Sequence, residues 1–224
     1  MGTSAAKRGY HHGDLRNALI EAAAELAAKG GPESVTIRAA AREVGVTPTA
    51  AYRHFAGHEE LLMAAKEQAL GALREAMAEE VAARPRLADP VDNALVKLGA
   101  IGRGYITFAR AEPGLFRTVF SPGGPVLPSP EDRTGTGPYV MLLDMLDELV
   151  EVGYLRQDRR PMAELAAWAM VHGLSALLDG PLRDLPEDVR DQAVMQCMIV
   201  LGHGLSGRGL TEEQEKLVTK GLAS

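Results

Sequence analysis

Thr36-Ile-Arg-Ala-Ala-Ala-Arg-Glu-Val-Gly45-Val-Thr47-Pro-Thr-Ala-Ala-Tyr-Arg-His-Phe55 decides how this chain is read. Two short helical segments meet at one glycine. The first starts after Thr36 and sets Ile37, Ala40, Ala41 and Val44 on one face, the spacing of an amphipathic helix. Gly45 ends it, with a positive φ expected, because only glycine takes that conformation without steric cost. Thr47 followed by Pro48 is a strong helix start: a hydroxyl cap, then a residue whose missing N–H is not needed in the first turn. Ala41 is small enough for the two helices to cross closely, Val46 plugs their junction, and Ala51 faces back to the core. The pattern predicts a helix-turn-helix, whose second helix protrudes steeply enough to enter a major groove.

The polar residues of the stretch fall where a duplex would lie. Thr36, Thr47 and Thr49 are small donors near helix N-termini, suited to phosphates or base edges. Arg38 and Arg53 offer charge, and Tyr52 and His54 can donate to phosphate. Pro48, Thr49 and Ala50 are the exposed early positions of the second helix, suited to thymine methyls and small hydrogen bonds. Arg53 reaches either a guanine or a phosphate. Net charge supports this placement without demanding it. The whole chain of 224 residues carries −6, but residues 1–66 hold eight Lys/Arg against seven Asp/Glu, and the remainder holds 16 against 23.

Outward from this unit the chain reads as helix throughout. Alanine is abundant, aromatics make up 4%, and no alternating run of β-branched residues occurs. A first helix is expected from a cap at Asp14 to the stop at Gly30-Gly31-Pro32, with Leu15, Leu19, Ala22 and Leu26 at helical spacing. A long fourth helix runs from His58 to about Ala83. Further helices fit Val91–Ala111 (Leu95, Leu98, Ile101, Tyr105 and Phe108 inward), a short piece after Glu112-Pro113, Tyr139–Val152, Pro161–Leu178, Asp188–Leu205 and Thr211–Leu222. Ser121–Pro138, rich in Pro, Gly, Ser and Thr, is a loop.

Residues 10–63 resemble the DNA-binding domain of the tetracycline-repressor (TetR) family. The lead-in His11-His12-Gly13-Asp14-Leu15-Arg16, the helix-turn-helix, and the exit Tyr52-Arg53-His54-Phe55 with Glu60-Leu61-Leu62 carry the likeness. Trp168, His172 and Gly173 resemble, on fewer positions, the "WHG" type of TetR C-terminal domain. The resemblance implies an all-α protein with a three-helix DNA-binding domain over residues 1–63 and a larger helical ligand-binding and dimerisation domain over 64–224. It implies a bacterial regulator, a repressor that binds a near-palindromic double-stranded operator as a homodimer and leaves it when a small molecule binds. The family's usual Lys at the start of the fourth helix is replaced by His58, which weakens that phosphate contact or makes it pH-sensitive. Lys7 and Arg8, in a flexible stretch 1–12, form either a minor-groove arm or a solvated tail.

A sensing pocket needs apolar walls and a few polar groups. Tyr105, Phe108, Phe116, Phe120, Met141, Met145, Trp168 and His172 are the candidates, though such a stripe also fits plain core. The last two long helices carry Ala166, Ala169, Gly173, Ala176, Ala193, Met195, Met198 and Gly202, small or flexible residues that suit a four-helix dimer interface. No cofactor or metal is expected. Gly202-His-Gly-Leu-Ser-Gly207 matches a dinucleotide pattern but follows a helix, not a strand, and His11-His12 lacks partner ligands. No nucleophile–base set suggests an enzyme. The single Cys197 and the lack of a membrane span or leader point to the cytoplasm. The competing reading is a helical carrier or enzyme with an incidental αα-corner. Its weakness is the exposed polar Thr-Pro-Thr-Ala-Ala-Tyr-Arg face, which a carrier has no reason to keep.

Overall fold

A computed structural model describes residues 12–122, 137–206, 210, 211, 213 and 214. All regular elements among them are helical. They are α1 (His12–Gly30), α2 (Ile37–Val44), α3 (Pro48–Ala51), α4 (His58–Ala82), α5 (Pro90–Ala111), α6 (Pro113–Val119), α7 (Pro138–Glu151), α8 (Ala163–Asp179) and α9 (Glu187–Leu205), with 3₁₀ turns at Pro32–Ser34 and Gln157–Arg159. None is long and apolar enough to cross a membrane. The stretch 1–11 with Lys7 and Arg8, most of the expected loop, and the expected helix Thr211–Leu222 lie wholly or largely outside the described residues. Asp14 does not cap α1. The helix already includes His12, so position 14 lies inside it rather than ahead of it.

The chain forms two compact units. The first takes residues 1–72 and 112–126, the second 73–111 and 127–224. The boundary read from the sequence at 63/64 falls inside α4, whose first fifteen residues (58–72) belong to the first unit and the rest to the second. The short α6 also belongs to the first unit, although α5 before it and α7 after it belong to the second.

The first unit is built on small residues. Leu19, Ala22, Ala23 and Ala27 of α1 bury against Ile37, Ala40 and Ala41 of α2, Ala51 and Phe55 around α3, and Leu61, Ala64 and Ala65 of α4. Alanines let the backbones approach closely, so the few large side chains (Leu19, Phe55, Leu61) supply much of the apolar burial, about 1.5–3 kcal/mol each. Leu115 of α6 packs on the same core. Gly114 permits this: a Cβ there would lie 2.2 Å from the carbonyl oxygen of Ala28 and 2.4 Å from that of Ala27.

In the second unit α5 is the central helix. Leu98, Ile101, Tyr105, Ile106 and Phe108 are buried along it, with Leu95 only partly so. Leu143, Leu146 and Leu149 of α7, Val171 and Leu178 of α8, and Leu201 and Leu205 of α9 complete the core. Gly104 brings α5 against the α4 backbone at Met77, where a Cβ would lie 2.6 Å from the Met77 Cα. Arg160 ties α7 to α8, donating to Asp147 at 2.7 Å, to Glu164 at 2.7 Å and to the Leu143 carbonyl at 3.4 Å.

Gly114→Ala is expected to destabilise the protein by roughly 1–3 kcal/mol, because the clash is with backbone rather than with a movable side chain. Gly71→Ala on α4 meets nothing within 4 Å and is expected to stabilise by about 0.5–1 kcal/mol. Urea unfolding of the two variants checks both; equal midpoints would remove the role assigned to Gly114.

Candidate functional site

The turn between α2 and α3 follows from its sequence. The Thr36 hydroxyl accepts from Ala39 N–H at 3.1 Å and caps α2. Gly45 ends α2 in the left-handed region, φ 77° and ψ 29°. Val46 N–H then returns to the Ala41 carbonyl at 2.9 Å, which satisfies an orphan carbonyl of the helix end. Two residues later the Thr47 hydroxyl accepts from Ala50 N–H at 3.2 Å and starts α3. A hydroxyl that accepts in a cap keeps its own O–H to donate, so both threonines can hold the helix and face a phosphate together.

Regular α-helix in α3 is short, but turn hydrogen bonds continue it. Tyr52 N–H reaches the Pro48 carbonyl at 2.9 Å, and Phe55 N–H reaches that of Ala51 at 3.2 Å. Ala51 and Phe55 are buried, 0% and 1% exposed. Thr36, Arg38, Thr47, Pro48, Thr49, Tyr52, Arg53 and His58 are exposed, and Ala50 and His54 are partly so. A large aromatic ring at Tyr52 is 53% exposed. From behind, the Arg16 guanidinium lies 4.9 Å from the Phe55 ring centre and 3.9 Å from Glu60. Glu60 in turn accepts from Ala56 N–H at 2.7 Å, which ties the exit of α3 to the start of α4.

The pocket candidates divide between the units. Phe116 and Phe120 form an edge-to-face pair at 5.0 Å in the first unit. Tyr105, Trp168 and His172 meet in the second. Trp168 Nε1–H donates to the Tyr105 hydroxyl at 3.1 Å, and that hydroxyl pairs with His172 Nδ1 at 2.9 Å. When Nδ1 is unprotonated the phenol donates to it, and the imidazole carries its proton on Nε2. Tyr139, absent from the sequence candidates, stands edge-on to Trp168 at 6.2 Å. Phe108 and Met145 are buried and Met141 partly so, within the core of the second unit. Among the described residues no group of His, Cys, Asp and Glu is gathered to hold a metal ion.

Burial sets the electrostatics of the Tyr105 cluster. It pushes the Tyr105 phenol well above its ordinary value, only partly offset by the Trp168 hydrogen bond, and it lowers the His172 imidazole. Both groups are neutral near pH 7. Sequence reasoning also missed Lys66, which is fully buried and donates to the carbonyls of Ser121 at 2.8 Å and Pro122 at 3.1 Å. Its signal was a lysine at helical spacing from Leu62, Ala69 and Leu73 on an otherwise apolar face of α4.

The lowered His172 pKa fixes a pH dependence. As pH falls through about 6.5, the unfolded chain binds this proton before the folded one does, so the contribution of His172 is full above that range and declines below it. His172→Asn is expected to flatten part of the decline of the melting temperature between about pH 6.5 and 5; parallel profiles for variant and parent would remove the assignment.

Two family models match the chain. The one described as "Bacterial regulatory proteins, tetR family" matches residues 19–65, and the one described as "Tetracyclin repressor-like, C-terminal domain" matches residues 98–200. The chain is 23% identical over 171 residues to the uncharacterized HTH-type transcriptional regulator YobS of Bacillus subtilis strain 168, covering 76% of this chain and 82% of that one. Among solved structures it resembles a protein of unknown function from Rhodococcus sp. RHA1, at TM-score 0.70 and 25% identity over 89% of this chain and 100% of that one. It also resembles TetR from Acinetobacter baumannii AYE, at TM-score 0.55 and 20% identity over 88% and 96%. With residues 19–65 and 98–200 matched by these two models, the chain belongs to the TetR family of DNA-binding transcriptional regulators.

Proposed function

We propose that the protein is a repressor that holds a near-palindromic double-stranded operator as a homodimer and is released from it by a small-molecule effector. The observation that carries this reading is the two-sidedness of α3. Ala51 and Phe55 anchor one side in the core while Pro48, Thr49, Tyr52 and Arg53 stand exposed on the other. In this reading Pro48, Thr49 and Ala50 face base edges. Thr36, Arg38, Thr47, Tyr52, His54 and His58 hold phosphates, and Arg53 reaches either a phosphate or a guanine. None of these roles needs a catalytic step.

The effector is assigned to the region of Tyr105, Trp168 and His172, whose neutral donors and acceptors suit orientation of a ligand among apolar walls. Phe108, Met141 and Met145 supply apolar surface in the same unit. Dimerisation through α8 and α9 is supported by what those helices leave uncovered. Leu177, Val189, Met195, Ile199 and Val200 are 39–60% exposed, and Ala166, Ala169 and Ala176 are exposed beside them. So many exposed apolar side chains on two helices suit association better than solvation. An open hollow of about 490 Å³ between the start of α8 and the end of α9, walled by Ala166, Met170, Val200 and Gly204, lies on the same two helices.

Binding selection from genomic fragments with purified protein is expected to enrich one inverted repeat with half-sites about 34–36 Å apart. No enrichment at any salt concentration would move the carrier reading to the front. Against the selected site, Tyr52→Ala and His54→Ala are each expected to lose roughly three- to tenfold in affinity on all sequences, whereas Thr49→Ala shifts base preference. Ile199→Glu is expected to halve the mass measured by light scattering; an unchanged mass would place the interface elsewhere.

A further inference from the structure

Tyr52, Arg53 and His54, three of the residues assigned to DNA, lie beyond Ala51, the last helical residue of α3. Turn hydrogen bonds hold their backbone: Arg53 N–H reaches the Ala50 carbonyl at 3.3 Å, and His54 N–H reaches that of Ala51 at 2.9 Å. These bonds set the local curl of the stretch. Its tilt against the rest of the first unit is set by what holds its two ends. One end is Ala51, buried in the core. The other is Phe55 and Ala56, and the same pair of side chains engages both.

The Arg16 guanidinium of α1 lies 4.9 Å from the Phe55 ring centre, within the distance at which an aromatic face attracts a cation. The Glu60 carboxylate of α4 divides its two oxygens. Oε2 accepts from Ala56 N–H at 2.7 Å, and Oε1 lies 3.9 Å from Arg16 Nη2. Helices α1 and α4 thus converge on the two residues at which the DNA-facing stretch ends.

As a stabilising device this cluster is weak. The side chains of Arg16 and Glu60 are 47% and 46% exposed, so water and salt screen the pair. Phe55 is buried in any case. Burial, however, is non-directional. It keeps the ring inside without fixing its angle. A cation over the ring face and a carboxylate on the next N–H are both directional, and together they fix the angle at which the chain leaves α3.

We propose that Arg16 is a positioning residue for DNA binding: it acts through Phe55 and Glu60 to hold Tyr52 where that side chain meets phosphate, and it does not touch the duplex itself. This rests on the DNA-facing reading of Tyr52 given above and adds the residue of α1 that sets it. A lysine would serve only in part, because an ammonium has no planar face to lay on a ring while a second edge points at a carboxylate.

The test uses the full-length protein and the operator selected from genomic fragments, with fluorescence anisotropy across a salt series at a temperature well below the melting of every variant. Arg16→Met is expected to lose about three- to tenfold in affinity. The slope of log affinity against log salt is expected to stay unchanged, because no phosphate loses a cation. Arg16→Lys is expected to keep part of the affinity. In a Tyr52→Ala background the Arg16→Met loss is expected to shrink to less than about twofold, since a residue that acts by placing Tyr52 then has nothing to place. A merely stabilising residue would lower the melting temperature and leave the affinity of the folded protein alone. Full affinity in Arg16→Met overturns the proposal, as does a loss undiminished in the Tyr52→Ala background. A salt slope that falls by about one makes Arg16 a phosphate contact and also overturns it. Where Arg16→Met folds poorly, the same cycle with Arg16→Lys decides. A parent protein that prefers no duplex would remove the DNA-facing reading itself, whereas a parent that binds no better than its Arg16 variants removes Arg16 alone.

Discussion

A helix of four residues has no stability of its own, since nucleation alone costs more than so few hydrogen bonds return. Yet α3, Pro48–Ala51, is the element that meets DNA in this reading. Its shape is imposed from outside. Gly45 turns the chain through the left-handed region, Thr47 fixes the first turn, and Ala51 and Phe55 pin the inner side to α1 and α4. Arg16 and Glu60 brace the exit from behind. Each device acts on backbone or core, which leaves the outer side chains free to be chosen for a duplex. A site whose rigidity comes from behind can change its specificity without unfolding.

The second unit solves a different problem, how to keep polar groups inside a helical core. Trp168 and His172, one turn apart on α8, both reach the Tyr105 phenol of α5. The hydroxyl serves one as acceptor and can serve the other as donor, so a single phenol satisfies two ring nitrogens. Arg160 does the same for Asp147 and Glu164 with charge. Both clusters join α8 to a neighbouring helix, and both are neutral as a whole or paired. Lys66, in the first unit, instead gives its ammonium to two backbone carbonyls, those of Ser121 and Pro122.

What the sequence made legible was local. The helix-turn-helix rests on signals that act within four residues: a hydroxyl cap, a proline, a glycine stop. The Thr36 and Thr47 caps and the left-handed Gly45 match that reading. Helix α1 was harder to bound because Asp14 suits a cap and a first turn equally well. The pocket candidates were read from periodicity, which reports that a residue faces inward but not which neighbours it meets. Tyr105, Trp168 and His172 meet, whereas Phe116 of α6 and Phe120 at its C-cap sit in the other unit. That α6 joins the first unit depends on Gly114 fitting against carbonyls of α1, a long-range contact that no local pattern encodes. The Trp168–Tyr139 contact and the two carbonyls facing Lys66 are hidden for the same reason.

Control of DNA binding needs an element that cannot serve two states equally well, because a ligand shifts an equilibrium only by the difference in its affinity for the two. The first unit is suited to be such an element. Its core is packed mainly with alanines, which have no rotamers with which to absorb a displacement. A shift of α4 at Ala64 and Ala65 must therefore be answered by α1 and α2 as bodies, and α3 rests on both α2 and α1 through Ala51. Small residues, which look like a weak core, make the reading head stiff. A stiff head passes a displacement of α4 on to where Thr49 and Tyr52 stand, where a softer core of long side chains would have absorbed it.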